Sequence, residues 1–229
     1  YLSSNVVFLQ QMADGYDIVT AQEEDIGRIA EFLRRHFYSN SPLNLGIGAS
    51  PDRKISEMFP LQYLSEGTSL LAVSRNGQRI LGACVNGENS PVDRKHTEYL
   101  QSVSNETHAK INEFVQKMED DVDIWKLTGA NRALYIHILA VDPAARGQGI
   151  ATTLMEKTRE VARSSGYPLL RILCTSKYSI KIARNMGMRS VCTLPFSEYK
   201  DENGHPVFTP PQPHTHAEMF VLKLDTDTY

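Results

Sequence analysis

The segment HILAVDPAARGQGIATTLMEK, residues 137–157, decides the fold class. It begins as an apolar strand, passes through a loop rich in proline, arginine and glycine, and continues with the periodicity of a helix. Gly147 and Gly149 stand where the helix starts, and glycine lets main-chain N–H groups approach an anion at such a helix N-terminus. The loop therefore predicts a phosphate site. The alternative is a tight turn with Arg146 in solvent, because short glycine motifs are weak signals. The loop is not a Walker loop, since no Gly-Lys-Ser/Thr follows, and it lacks the third glycine of a dinucleotide fingerprint.

Composition narrows the class of protein. The chain has 229 residues, 41% of them hydrophobic, and a net charge of −3, which suits one or two globular domains and argues against a nucleic-acid partner. No apolar run approaches the roughly 20 residues of a membrane span, and YLSSNVVFLQQM, residues 1–12, does not resemble a signal peptide. Cys84, Cys174 and Cys192 lie in apolar segments, so we expect reduced, buried thiols in a cytoplasmic protein.

Hydrophobic periodicity and turn residues predict a mixed α/β order. Strands are predicted over 16–20, 69–87 (a hairpin with a type I′ turn at Asn76-Gly77), 133–141, 168–174 and 216–224. Helices are predicted over 26–37, 52–59, from Gly149 onward and over 178–187, with a loop at 40–46 and a polar, partly helical excursion at 88–130. We expect a single domain over residues 16–224 preceded by an N-terminal extension, residues 1–15.

The loop motif also carries a family resemblance. RGQGIA, residues 146–151, resembles the R-x-x-G-x-A acetyl-CoA signature of the GNAT acyltransferase superfamily. CTSKYS, LPFSEYKDENGHPVF and PPQPHTH follow in the order found in the insect arylalkylamine N-acetyltransferases, which include dopamine and agmatine acetyltransferases. The similarity runs from Tyr16 to Leu224 and is strongest over 134–216.

The resemblance implies a fold and a cofactor. The fold is the α/β (α+β) GNAT fold, a twisted mixed sheet with flanking helices and two splayed central parallel strands, 133–141 and 168–174. The co-substrate is acetyl-CoA, with its pantetheine held by the backbone of Leu139 and Val141. Its pyrophosphate is assigned to Arg146, Gly147, Gln148, Gly149, Ile150 and Ala151.

The general base cannot be transferred from the resemblance. The insect enzymes have a glutamate just before Pro-Leu, whereas this sequence has Ser41 before Pro42 and no carboxylate over residues 39–51. His137 is the candidate replacement, since an imidazole can relay a proton near neutral pH and the vertebrate serotonin acetyltransferases resemble this chain in having a histidine there. His137 is four residues before Val141, so we expect both side chains on one face of the strand. The alternative is a histidine of the core.

Ser179 is the candidate proton donor to the CoA sulfur. GNAT enzymes usually place a tyrosine in this helix, at the position that is Ala183 here, whereas Ser179 matches a serine of the insect enzymes. The alternative is helix capping, which we favour for Thr175 and Ser176, although Ser176 is also a candidate cofactor contact.

The acceptor pocket is expected to involve the first helix and the proline-rich loop. Phe37, Tyr38 and Ser41 are candidate contacts with an arylalkyl chain. His214 matches a histidine that lines the amine pocket of the insect family and is a second catalytic candidate, with a solvated loop as the alternative. His214 and His216 lack a third ligand at metal-binding spacing, so we predict no metal, and Cys174 lacks the basic neighbour of a nucleophilic thiol.

These features predict an acetyl-CoA-dependent N-acetyltransferase that acts on a small primary amine by direct attack in a ternary complex. An arylalkylamine such as dopamine, tyramine, octopamine or serotonin is the leading acceptor. The alternatives are agmatine or a polyamine, another acyl donor, acetylation of a protein N-terminus, or a CoA-binding protein without turnover. We expect a monomer without nucleic-acid or membrane partners.

Overall fold

The computed structural model describes residues 15–92 and 105–224. Seven strands form one mixed sheet in the order β1-β2-β3-β4-β5-β7-β6. They are β1 Tyr16–Thr20, β2 Leu70–Ser74, β3 Ile80–Asn89, β4 Ala133–Val141, β5 Leu169–Cys174, β6 Arg189–Pro195 and β7 His216–Lys223. The central pair β4–β5 is parallel and the other neighbours are antiparallel, so the mixed sheet expected from the sequence is confirmed.

Helices cover the sheet. The α-helices are α1 Ile26–Leu33, α2 Pro42–Ile47, α3 Glu106–Asp120, α4 Ile124–Thr128, α5 Ile150–Ser164 and α6 Lys177–Asn185. A π-helical turn, Arg34–Tyr38, extends α1, and 3-10 turns occur at Glu23–Asp25, Ile55–Glu57, Phe59–Glu66 and Pro143–Ala145. No helix within residues 15–92 and 105–224 is long and apolar enough to cross a membrane.

The hydrophobic core has three parts. Leu154 of α5 packs with Leu134 and Ile136 of β4 on one face of the sheet. Leu33 of α1 packs with Ile138 of β4 in the second cluster. The third cluster joins α3 and α4 to β5, β6 and β7. The long strand β4 thus contributes to both faces of the central sheet.

The prediction of a loop over residues 40–46 is wrong, because Pro42–Ile47 forms helix α2. Pro42 occupies the first helical position, where its missing N–H costs nothing, and was misread as a helix breaker. Gly46 lies inside the helix. A larger residue would not fit there, because an added Cβ would lie 3.0 Å from the Pro210 nitrogen.

Other expectations need smaller corrections. The 69–87 hairpin is present, but its turn is not type I′, since Gly77 has φ +68° whereas Asn76 has a negative φ. Strand β6 was not predicted, and the helix expected at 52–59 is a pair of 3-10 turns.

Two sequence predictions fall partly outside the described chain. The N-terminal extension lies outside it apart from Gly15, and so do residues 93–104 of the polar excursion. Among the three free cysteines, Cys84 and Cys174 are buried as expected, whereas Cys192 is partly exposed.

Candidate active site

The two central parallel strands separate beyond a short paired region. Parallel pairing of β4 with β5 covers three residue pairs and ends at Ile136 with Ile172. Beyond that point β4 continues to Val141, paired on its other side with β3 up to Gly82. The β5-facing edge of β4 from His137 to Val141 therefore has no ladder partner on β5, so its main-chain groups can bind an extended ligand. This confirms the predicted splay.

One large cavity follows the splay. Its volume is about 850 Å³, within the range of small-molecule sites. Most of the predicted site residues line it: Phe37, Tyr38, Ser41, His137, Leu139, Val141, Arg146, Gly147, Gly149, Ile150, Ala151, Ser176, Ser179 and His214. Gln148 does not contribute to its wall.

The glycine loop has the geometry of an anion site. Gly147 and Gly149 have φ +82° and +77°, and a Cβ on either would meet no protein atom within 4 Å. Gly149 is the N-cap of α5 and brings no capping side chain, and the first main-chain bond into the helix runs from Thr153 N–H to the Gly149 carbonyl. The N–H groups at the start of α5 thus belong to residues that line the cavity, at the positive end of a 15-residue helix. They fit a pyrophosphate.

His137 sits at an irregularity of β4. Val85 of β3 pairs with Ile138 and the next residue, Asn86, pairs with Ile136, so His137 is the extra residue of a β-bulge. The bulge shifts the alternation of side chains: Ile136 belongs to the α5-side cluster and Ile138 to the α1-side cluster.

The expectation that His137 and Val141 share a face is therefore wrong. Val141 packs against the α5-side core. The His137 ring instead stacks on Tyr63, with ring centroids 4.8 Å apart, and lies 4.3 Å from the Tyr135 ring. The Phe59 ring is perpendicular to the His137 ring, with the ring centroids 5.9 Å apart. His137 is thus held among aromatic rings on the cavity wall.

Two serines start helix α6. Ser176 is the N-cap, and its Oγ accepts the Ser179 N–H at 3.1 Å, so the predicted capping role of Ser176 is confirmed. The Ser179 hydroxyl lies 2.9 Å from Ser176 Oγ and donates to the Ser176 carbonyl oxygen at 3.0 Å. Burial raises the pKa of the neighbouring Cys174 thiol to about 12, which keeps it protonated and inert at neutral pH.

His214 joins the proline-rich loop to α6. Its Nδ1 accepts the Lys177 N–H at 3.2 Å, and its ring packs edge-on against Tyr178 at 5.6 Å. Partial burial lowers the pKa of His214, so the neutral imidazole predominates at neutral pH. Because Nδ1 is the acceptor, the proton of the neutral ring lies on Nε2, which makes His214 a hydrogen-bond donor. Within the described chain, no group of three or more potential ligands could hold a metal ion.

The residues from the first-helix region form an aromatic wall without a carboxylate. Ser41 is buried at the start of α2 and makes no capping hydrogen bond through its side chain. Tyr38 is buried, and the Arg53 guanidinium carbon lies 4.5 Å above its ring centre. Phe37 packs edge-on against Tyr38 at 5.1 Å.

The residues of the cavity wall that the sequence reasoning missed include Asn89, Arg53, Glu57 and Glu119. Two of them meet Arg171 of β5, which donates to Glu119 Oε1 and Asn89 Oδ1, each at 2.6 Å. Arg171 is a single charge in the apolar run PLLRILC, and a buried charge requires partners. The lone arginine in this apolar strand therefore predicts an ion pair for Arg171, although the sequence does not identify the partner.

Three solved structures of N-acetyltransferases share the fold of this chain. An arylalkylamine N-acetyltransferase 2 from Aedes aegypti is 25% identical, with a TM-score of 0.84 over 91% of this chain and 98% of that one. A Drosophila melanogaster polyamine N-acetyltransferase that forms N-acetylagmatine is 28% identical, with a TM-score of 0.79 over 91% and 100%. An agmatine N-acetyltransferase is 26% identical, with a TM-score of 0.82 over 92% and 100%. The sequence itself matches the acetyltransferase (GNAT) family over residues 52–188, more than half of its length. The chain therefore belongs to the acetyltransferase (GNAT) family and is an N-acetyltransferase.

Proposed function

We propose that the protein transfers an acetyl group from acetyl-CoA to the primary amine of a small molecule, with an arylalkylamine as the leading acceptor. The observation that carries the proposal is that one cavity connects the glycine loop, the splay and an aromatic wall. The solved relatives named above, which act on arylalkylamines, polyamines or agmatine, support an amine acceptor.

The residues fit acetyl-CoA. The N–H groups from Gly147 to Ala151 and the Arg146 side chain would hold the pyrophosphate. The open edge of β4 at Leu139 and Val141 would bond the pantetheine. When bound, acetyl-CoA supplies the thioester whose acyl carbon the amine attacks.

Proton transfer must then come from this chain. An alkylammonium has a pKa near 10 and must lose a proton before it can attack. His137 is the proposed relay, because it lines the cavity at the splay and Ser41 offers no basic group there. The acceptor proton passes through water to the His137 imidazole, and the Ser179 hydroxyl donates a hydrogen bond to the departing CoA thiolate, which takes its proton from solvent. His214, which presents an N–H donor, is proposed to position the acceptor.

The same geometry supports direct attack in a ternary complex. Burial keeps Cys174 protonated, so an acyl-cysteine intermediate is not part of the proposed mechanism. Holding both reactants in one cavity removes most of the entropic cost of their encounter. Since the cysteines are free thiols, we propose that the enzyme works in a reducing compartment, the cytoplasm.

The test is thiol release from acetyl-CoA in the presence of an amine panel. The panel contains tyramine, dopamine, octopamine, serotonin, agmatine, spermidine and a peptide with a free N-terminus. We expect saturable release with at least one small primary amine and none without an acceptor. Acetyl-CoA binding without release for any amine would identify a CoA-binding protein without turnover. Release with the peptide alone would replace the small-molecule acceptor.

A further inference from the structure

The end of the cavity remote from the glycine loop is polar. Its centre is the buried Arg171 of β5, which bonds Glu119 Oε1 and Asn89 Oδ1 and lies 4.2 Å above the Tyr135 ring. Glu119, Asn89 and Tyr135 all line the cavity. We propose that Glu119 is a specificity residue that binds a hydrogen-bond donor at the far end of the acceptor, a hydroxyl or a second cationic group. This inference rests on the proposed amine acetyltransferase function.

The position of the cluster follows from the strand register. Tyr135 pairs with Arg171 one residue before the parallel ladder ends, whereas the glycine loop follows Val141 at the other end of β4. Six residues of strand separate the two ends, about 20 Å at the usual rise. His137, the proposed proton relay, lies two residues from Tyr135, or about 7 Å along the strand. An acceptor whose amine reacts beside His137 would thus place its far end at Glu119.

The hydrogen bonds of the cluster determine which group fits. Glu119 Oε1 is occupied by Arg171, whereas Oε2 accepts no hydrogen bond from any residue in the described part of the chain. The carboxylate side chain is 16% exposed, and it still has acceptor capacity toward the cavity. A donor on the acceptor would satisfy it, whereas an apolar tail would exclude water from this oxygen without replacing the hydrogen bond, which is unfavourable.

An anionic tail is a poor match for the same site. Arg171 does not itself line the cavity, and its two Nη atoms donate to Glu119 and Asn89, although its buried Nε has no hydrogen-bond partner among the described residues. An incoming carboxylate would meet the Glu119 carboxylate before it reached Arg171. Glu57 is the other carboxylate on the wall among the described residues, but its Oε2 accepts the Lys54 N–H at 3.1 Å within a 3-10 turn.

Paired acceptors test the inference and identify the donor. Tyramine is compared with 2-phenylethylamine, which lacks only the hydroxyl, and 1,4-diaminobutane with butylamine, which lacks only the second amine. For the wild-type enzyme we expect kcat/KM to favour the donor-bearing amine at least tenfold in one pair. Preference in the first pair identifies a hydroxyl, and preference in the second identifies a cation. Ratios near one in both pairs would overturn the inference.

Substitutions connect the preference to Glu119. Glu119→Gln keeps the shape and can still accept from Arg171, but it replaces a carboxylate oxygen with an NH₂ donor. We expect it to reduce the preference for the donor-bearing amine at least tenfold. Asp120→Asn, an exposed neighbour on the same helix, is the charge-matched control and should leave the ratio unchanged. An equal loss for both members of the pair in Glu119→Gln would indicate a structural role and refute the specificity role.

The test separates this inference from the proposed function. If the protein binds CoA without turnover, titration of the CoA complex with tyramine and 2-phenylethylamine, and with the two butyl amines, still measures the preference. If Glu119→Gln fails to fold, Glu119→Asp keeps the charge but shortens the side chain by one methylene, and it should reduce the preference. The wild-type ratios require no variant.

Discussion

Replacing Gly149 by alanine should weaken acetyl-CoA binding by more than the strain of the substitution explains. Gly149 has φ +77° and ψ 2°, and an alanine there costs about 1–2 kcal/mol because L-residues disfavour the left-handed region. Gly129, which follows α4, has φ +73° and ψ 6° and also has no atom within 4 Å of an added Cβ. Gly129→Ala is therefore a control with the same strain, at a position that does not line the cavity.

The difference between the two variants measures the contribution of the ligand. A hydrogen bond to a charged group contributes about 1.5–3 kcal/mol, so displacing the pyrophosphate from one N–H should raise Kd about tenfold or more. At a concentration of 100 times the wild-type Kd, acetyl-CoA stabilises a protein by about 2.7 kcal/mol, and a tenfold weaker site gives about 1.4 kcal/mol. Calorimetric titration gives Kd, and thermal unfolding with and without acetyl-CoA gives the stabilisation. Equal Kd values for Gly149→Ala and Gly129→Ala would refute the pyrophosphate assignment.

Three further predictions concern His137, Ser179 and His214. His137→Ala should lower kcat/KM about 100-fold and remove the acid limb of the pH–rate profile, and a variant that keeps both would exclude the relay. Ser179→Ala should lower kcat more than it weakens acetyl-CoA binding, whereas lower thermal stability with normal turnover would indicate capping alone. His214→Gln should raise KM for the amine and should also flatten the dependence of stability on pH. Because the pKa of His214 is lowered in the folded state, the unfolded chain binds its proton first as the pH falls below about 6.5. The wild type should therefore lose more stability between pH 7 and pH 5 than His214→Gln does, and parallel curves in chemical denaturation would contradict this.

The parts of the fold that depend on local pattern could be predicted from the sequence. Strand β4 was predicted with its observed limits, since nine consecutive strand-forming residues leave little ambiguity. Strand β6 was missed because it lies at the sheet edge with no fully buried residue, so it lacks a continuous apolar pattern. Helix α2 was missed because the proline at its first position is also a common loop residue.

The site could be predicted only in part. The glycine loop is contiguous in sequence, and its assignment needs nothing from distant segments. The face of His137 depends on a bulge that is defined by pairing with β3, and a count along β4 cannot show it. The cluster of Asn89, Glu119 and Arg171 joins segments 82 and 52 residues apart, and the sequence of one segment does not reveal its partner in another.

The bulge at His137 has a consequence for how acceptor preference can change. In the proposed function, the half of β4 after the bulge binds its ligand through main-chain atoms, which every amino acid except proline supplies equally. The half before it contributes a side chain, that of Tyr135, to the wall of the cavity. Substitutions in one strand can therefore alter the choice of amine and preserve the acyl donor.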